Sequence, residues 1–244
     1  MQHYFLNQTL TVGDTLELPA DIKKHWIRVM RAETGSKAEF VADNQSLFIG
    51  ELVDESNGKI KIIEQANHNV ELPFSVTIAC GLPKSGKAEL IVQKATEMGV
   101  SKIIFLPTDW AVAKWNQKAG KKVERLQKVA KSAAEQSHRN LIPEVTYLDS
   151  VNSLIDIDAN QKVVAYEESA KEGESSNLVK VVNSLHAGDS LLAFFGPEGG
   201  ISPAEIDKLQ ANNFTLVGLG PRILRTESAP LYFLSAVSVL SELR

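Results

Sequence analysis

The chain has 244 residues, 43% of them hydrophobic and 23% charged, with a net charge of −4; it can bury one large core or two modest ones and does not read as disordered. It has neither the basic start and apolar run of a secretory signal nor a bilayer-length apolar stretch, so no membrane association and a cytoplasmic location are expected. The acidic total argues against a protein that coats nucleic acid by bulk attraction, although a local basic patch can still hold phosphates.

Up to about residue 70 the chain offers short alternating runs, Asp14–Leu18, Lys37–Val41 and Lys59–Ile63, separated by turn-forming residues. They predict a small β-barrel suited to a binding module. One helix interrupts them, because Asp21 can cap a segment in which Ile22, Trp26, Val29 and Met30 fall on one side. After Pro73 the rhythm changes. Phe74–Cys80, Ile103–Leu106, Lys162–Tyr166, Leu191–Phe195 and Phe214–Leu219 read as strands, and Glu89–Met98, Val123–Ser137, Leu178–Leu185 and Glu205–Gln210 as helices between them. This predicts an α/β region with a mostly parallel sheet, whose ligands bind where loops leave the carboxyl ends of strands. The single cysteine, Cys80, cannot form an internal disulfide and is expected to be a small buried side chain.

Three such loops attract notice. Gly81-Leu82-Pro83-Lys84-Ser85-Gly86-Lys87 follows a strand and precedes a helix, as a P-loop does. Its match stops at Ala88, where a hydroxyl should coordinate magnesium, and Pro83 removes one backbone N–H from the cradle. P-loop nucleotide hydrolysis is therefore an alternative beside a plain strand-to-helix turn carrying two lysines. Phe194–Ser202 contains three glycines and passes into Ser202-Pro203-Ala204-Glu205, a capping box with proline at the first helical position. A tight turn serving only topology is an equally open reading there. Gly218–Ser228 joins a strand to the apolar C-terminal helix, and its Arg222 and Arg225 suit phosphate or anionic-base contacts as well as an ordinary charged surface loop.

Charge is unevenly placed: residues 1–72 hold 7 Lys and Arg against 11 Asp and Glu, whereas Lys114 to Arg139 holds 8 against 2. On a helix starting near Gln117, Lys118, Lys121, Lys122 and Arg125 share one face, which Lys128 and Lys131 extend toward His138-Arg139. That face is either simply solvated or a surface for an RNA backbone.

Taken together, Gly196-Pro197-Glu198-Gly199-Gly200 and Leu219-Gly220-Pro221-Arg222-Ile223-Leu224-Arg225-Thr226-Glu227 resemble the paired signature of the RsmE methyltransferase family. His25–Arg31, Leu82-Pro83-Lys84, Gln93–Val100 and Glu135–Arg139 match it in order, so the resemblance covers nearly the whole chain. It implies a PUA-like RNA-binding β-barrel over residues 1–72 and a SPOUT methyltransferase domain over 73–244, with a C-terminal trefoil knot that periodicity could not reveal. It also implies a homodimer, S-adenosylmethionine as cofactor, and N3 of a uridine in small-subunit ribosomal RNA, within the assembled subunit, as the target. A catalytically silent RNA-binding protein on the same fold is a further alternative.

Carried over position by position, the implied cofactor site comprises Gly196, Pro197, Glu198, Gly199, Gly200, Leu219, Gly220, Ile223, Leu224 and Thr226, with Tyr166 and Glu167 as a neighbouring wall. Uridine N3 is a weak nucleophile while protonated, so the site must favour proton loss or stabilise the anion, and Arg225 is the first candidate for this, Arg222 the second. RNA contacts are expected from Arg28, Arg31, Lys84, Lys121, Arg125, Lys128, Gln136, His138 and Arg139, and no metal site is expected. His3 departs from the family, which often carries Arg beside Tyr4-Phe5, and an imidazole lacks the fixed fork of a guanidinium.

Overall fold

The first part of the chain forms β1 (Gln2–Phe5), β2 (Thr15–Glu17), β3 (Lys37–Val41), β4 (Leu47–Asp54) and β5 (Lys59–Ala66), in the sheet order β1-β3-β4-β5-β2. β1 and β3 run parallel and the other pairs antiparallel. Tyr4, Trp26, Phe40, Phe48, Leu52, Ile60 and Ile62 are buried together beneath this sheet, each contributing about 1.5–3 kcal/mol of transfer free energy. The computed structural model describes residues 1–84, 86–166 and 176–243, so Glu167 lies outside the described residues. Two units emerge: Met1–Glu71 with Ala134–Leu141, and Leu72–Ala133 with Ile142–Arg244.

The helix expected after Asp21 differs in detail. Its first piece, α1 (Ala20–Lys23), starts after Pro19 with no side-chain cap, and Asp21 sits inside the first turn. It continues as a π-helical segment, Lys24–Val29, where the Met30 N–H donates to the His25 carbonyl at 2.9 Å. Such i to i+5 bonding widens the turn. The 3.6-residue face therefore ends at Trp26: Ile22 and Trp26 are buried, while Val29 is 61% and Met30 47% exposed.

In the second unit β6 (Ser75–Gly81), β7 (Lys102–Leu106), β8 (Glu144–Tyr147), β9 (Gln161–Ala165), β10 (Ser190–Phe195) and β11 (Phe214–Val217) form a parallel sheet ordered β11-β9-β10-β6-β7-β8. The helices are α2 (Lys87–Glu97), α3 (Ala119–Gln136), whose last residues belong to the first unit, α4 (Val151–Ile155), α5 (Asn177–Ser184), α6 (Pro203–Ala211) and α7 (Ser228–Glu242). Ile78, Cys80, Ile103, Phe105, Ala193 and Phe195 enter one core, and their neighbours Ala79, Ile104, Leu106, Leu192 and Phe194 enter another with Ile206 and Leu209 of α6. Burial on both faces is why these strands read as continuous apolar runs. Cys80 is fully buried, as expected, and burial pushes its thiol up to about 12. Among the described residues no helix is long and apolar enough to cross a membrane.

Candidate active site

β10 ends at Phe195, and the chain turns at once through Gly196–Gly200 against the segment that follows β7. A Cβ on Gly199 would lie 2.5 Å from the Trp110 carbonyl oxygen, so only glycine lets the loop close on that backbone. After β11 a second turn passes through Gly220, whose φ of +84° lies in the left-handed region. Tyr166 continues β9, its N–H donating to the Val217 carbonyl at 3.2 Å. Because β9 lies between β10 and β11, the two glycine loops flank Tyr166. Together they enclose a cavity of about 490 Å³, within the usual range for small-molecule sites.

Tyr166, Gly196, Pro197, Gly199 and Gly200 line this cavity, as do Leu219, Gly220, Ile223, Leu224 and Thr226. The two arginines, both exposed, separate: Arg222 lines the cavity, whereas Arg225 stands outside the lining. Glu198, between the lining residues Pro197 and Gly199, also stands outside the lining. Its carboxylate accepts the Lys84 N–H at 3.1 Å and pairs with the Lys87 ammonium at 2.9 Å. Lys87 also stands 2.9 Å from Glu227, at the foot of α7, so one ammonium joins the first glycine loop to the segment that follows the second. Burial pushes both carboxyls up, but the bonds from Lys87 and from backbone N–H groups outweigh it and hold Glu198 and Glu227 below the usual carboxylate range. Pairing with Glu198 and then Glu227 holds Lys87 above the ordinary lysine value. This arrangement lends no support to the P-loop alternative: the lysine that would reach phosphates is held between two carboxylates.

The cavity contains residues the sequence reading missed, chiefly Trp110, with Phe195, Ile201 and Ala229. Trp110 is placed through its neighbour. The expected capping box is present, with Glu205 N–H donating to Ser202 Oγ at 3.2 Å and Ser202 N–H to Glu205 Oε2 at 3.0 Å. The same two residues grip Asp109: Ser202 Oγ donates to Asp109 Oδ2 at 2.6 Å, and the Asp109 N–H donates to Glu205 Oε1 at 2.9 Å. A signal existed in the position of Asp109-Trp110 just beyond the carboxyl end of a strand.

Of the residues expected to contact RNA, Lys84, Lys121, Arg125 and Lys128 are exposed in the second unit, with Arg125 paired to Glu89. In the first unit Arg28, Arg31 and Gln136 are exposed. His138 is partly exposed, its Nδ1 2.6 Å from Glu39 Oε2. Arg139 is a correction. It is 2% exposed and its Nε donates to both oxygens of Glu71 at 3.2 Å, while the Asn140 and Leu141 N–H groups donate to the same carboxylate at 2.9 and 3.2 Å. Its guanidinium therefore serves an internal carboxylate.

Residues 70–238 match the family described as an RNA methyltransferase domain, which sets the class of protein that this sheet and cavity define. Over its full length the chain is 44% identical to the ribosomal RNA small subunit methyltransferase E of Bacillus subtilis, covering 98% of it. It is 29% identical to the protein of the same name from Synechocystis, over 88% of this chain and 70% of the relative. The crystal structure of ribosomal RNA small subunit methyltransferase E from Neisseria gonorrhoeae bound to S-adenosyl methionine superimposes with a TM-score of 0.85 at 25% identity, covering 98% of both chains. The chain belongs to the ribosomal RNA small subunit methyltransferase E family. Its parallel α/β sheet and separate, largely antiparallel sheet agree with the SPOUT and PUA-like architecture expected from the motifs.

Proposed function

We propose that this protein transfers a methyl group from S-adenosylmethionine to N3 of a uridine in small-subunit ribosomal RNA. One observation carries the reading: two glycine loops, separate in sequence, meet around Tyr166 in a single cavity of about 490 Å³. The walls suit the cofactor. Gly200 and Gly220, where an added Cβ would meet nothing nearer than 3.7 Å, leave backbone N–H and C=O groups open to close approach, while Tyr166, Leu219, Ile223 and Leu224 offer apolar surface to a flat base. When bound, the cofactor supplies a methyl group on a positively charged sulfur, open to an in-line nucleophile. The protein's own part is to hold uracil beside that methyl and keep water out, since positioning alone can account for much of the acceleration. Arg222, on the cavity wall, stabilises the anion left when N3 loses its imide proton. Arg225, exposed on the same loop, is available to the RNA backbone.

N3 lies on the pairing edge of uracil, so the target base must be unpaired or splayed out before it enters. Exposed Lys84, Lys121 and Lys128 in the second unit, and Arg28, Arg31 and Gln136 beside the PUA-like sheet, supply contacts to the surrounding RNA. α7 leaves Tyr232 43% and Val239 53% exposed, which supports a homodimer. The position of β10 between β9 and β6 is compatible with a knotted chain. The substrate would be the assembled small subunit in the cytoplasm. To test the reading, the protein is incubated with methyl-labelled S-adenosylmethionine and unmodified small ribosomal subunits, and the RNA is digested. Label in N3-methyluridine at one position is expected; no incorporation, or label in another nucleoside, would refute it.

A further inference from the structure

A polar cluster in the first unit plays no part in the cavity. His3 and Glu39 are register partners on the parallel strands β1 and β3, so their side chains leave the sheet on the same side. His138 joins them from the segment Ala134–Leu141, holding a left-handed φ of 56° that is uncommon outside glycine. Glu39 Oε2 lies 2.9 Å from His3 Nδ1 and 2.6 Å from His138 Nδ1. The three atoms all fall within 4.8 Å of one another.

The second nitrogen of His3 decides what these distances mean. His3 Nε2 is 2.8 Å from the Arg139 backbone carbonyl, which can only accept, so the ring proton sits on Nε2. In the neutral ring that leaves the Nδ1 lone pair facing a carboxylate oxygen, an arrangement that requires a cation between them. Either a second proton or a metal ion can fill that role. A metal-ligating histidine characteristically donates its other N–H to a backbone carbonyl or carboxylate, which fixes the tautomer and aims the ligating nitrogen; the buried His3 side chain, 0% exposed, is held in just this way.

We propose that His3 Nδ1, Glu39 Oε2 and His138 Nδ1 form a binding site for a divalent transition-metal ion, zinc being the best match to two imidazoles and one carboxylate. Tetrahedral zinc with bonds of about 2.0–2.1 Å places its ligand atoms about 3.3 Å apart. From 2.9 Å and 2.6 Å, the contacts of His3 and His138 to Glu39 therefore open by about 0.4 and about 0.7 Å on binding. His138, with a side chain 42% exposed, and the long Glu39 side chain can supply that movement while His3 stays anchored. A water completes the shell on the open side. The ion acts as a structural clamp, tying Ala134–Leu141 to the edge of the five-stranded sheet. No local motif announces the site, because its ligands come from positions 3, 39 and 138, which is why none was expected from the sequence.

The test uses the full-length protein, freed of metal by dialysis against chelator and titrated calorimetrically with zinc chloride, beside His138→Ala and Glu39→Gln variants whose folding is checked by circular dichroism. Binding of one zinc ion per chain, a raised Tm on zinc addition, and affinity at least tenfold weaker in both variants are expected. Cobalt(II) in place of zinc should show the visible absorption bands of a tetrahedral site. The proposal is overturned if the unaltered protein binds no zinc, or if either folded variant binds it as tightly as the parent. Glu39→Gln preserves side-chain volume, so the test survives even if His138→Ala does not fold.

Discussion

Replacing Lys87 with methionine keeps the length of the side chain and removes the charge that Glu198 and Glu227 share. Each carboxylate oxygen stands 2.9 Å from the ammonium, so the two oxygens can be no more than 5.8 Å apart once it is gone. Two like charges at that separation repel by about 0.7 kcal/mol in bulk water and about 3 kcal/mol at an effective dielectric of about 20. The side chains are 25%, 23% and 17% exposed, which places the cluster between those limits. A loss of about 2 kcal/mol is expected, intermediate between an exposed and a buried ion pair. For a protein of this size that lowers Tm by about 4–8 °C in calorimetry. The lysine also holds the first glycine loop, so S-adenosylmethionine should bind about tenfold more weakly in isothermal titration, equivalent to ~1.4 kcal/mol. The double variant Lys87→Met/Glu198→Gln, which relieves the repulsion, should recover much of the lost stability. A Tm within 1 °C of the parent (roughly 0.3–0.5 kcal/mol) and unchanged cofactor affinity would refute this account of the cluster.

The same cluster predicts an acid limb in the stability profile. Glu198 and Glu227 are held below the ordinary carboxyl value of 4.5, so their contribution is complete above that value and is lost as pH falls through their lower folded-state values; Lys87→Met should flatten this limb in urea titrations run at successive pH values. Gly199→Ala places a methyl group 2.5 Å from the Trp110 carbonyl oxygen, and should cost about 1–3 kcal/mol of stability and weaken cofactor binding measured by titration. Arg139→Ala leaves Glu71, 16% exposed, without its guanidinium and should destabilise the protein by about 3–5 kcal/mol in denaturant unfolding. Lys121→Gln with Lys128→Gln should weaken ribosomal RNA binding and reduce the slope of log affinity against log salt by about 2, read by filter binding, with cofactor affinity unchanged.

Legibility followed the range of the physics involved. β3 appears at Lys37–Val41 as read, and all five strands expected in the second unit start within a residue of their expected positions, because alternation and apolar runs are local records of burial. β4 escaped, since its ladder slips between Ile49 and Gly50 and again between Leu52 and Asp54, and a bulge breaks the period of two. β8 escaped because Val145 is its only buried residue. α1 was found but its buried face was overextended, since nothing local distinguishes a π-helical turn from an α-helical one at Val29 and Met30. Glu198 shows the limit of motif reading: its place between two glycines of the signature marks it for the site, yet which way its carboxylate points depends on Lys87, a residue from another loop.

The cavity itself follows from strand order, which no local pattern encodes. In sequence β9 comes before β10 and β11, but in the sheet it lies between them, so Tyr166 leaves the sheet with a glycine loop on either side. Had the strands been laid down in chain order, β10 would separate those two neighbours, and the turns at Gly196 and Gly220 would open on different gaps in the sheet. Inserting β10 between β9 and β6 also brings its exit loop against the exit of β6, where a Cβ on Gly81 would lie 2.5 Å from the Pro197 ring. Gly81 and Lys87 thus belong to the cavity's support although neither lines it. The stretch that resembled an incomplete P-loop makes contact with the glycine loop through Gly81 and an ionic hold through Lys87. Its glycine–lysine character therefore has a mechanical explanation that requires no nucleotide.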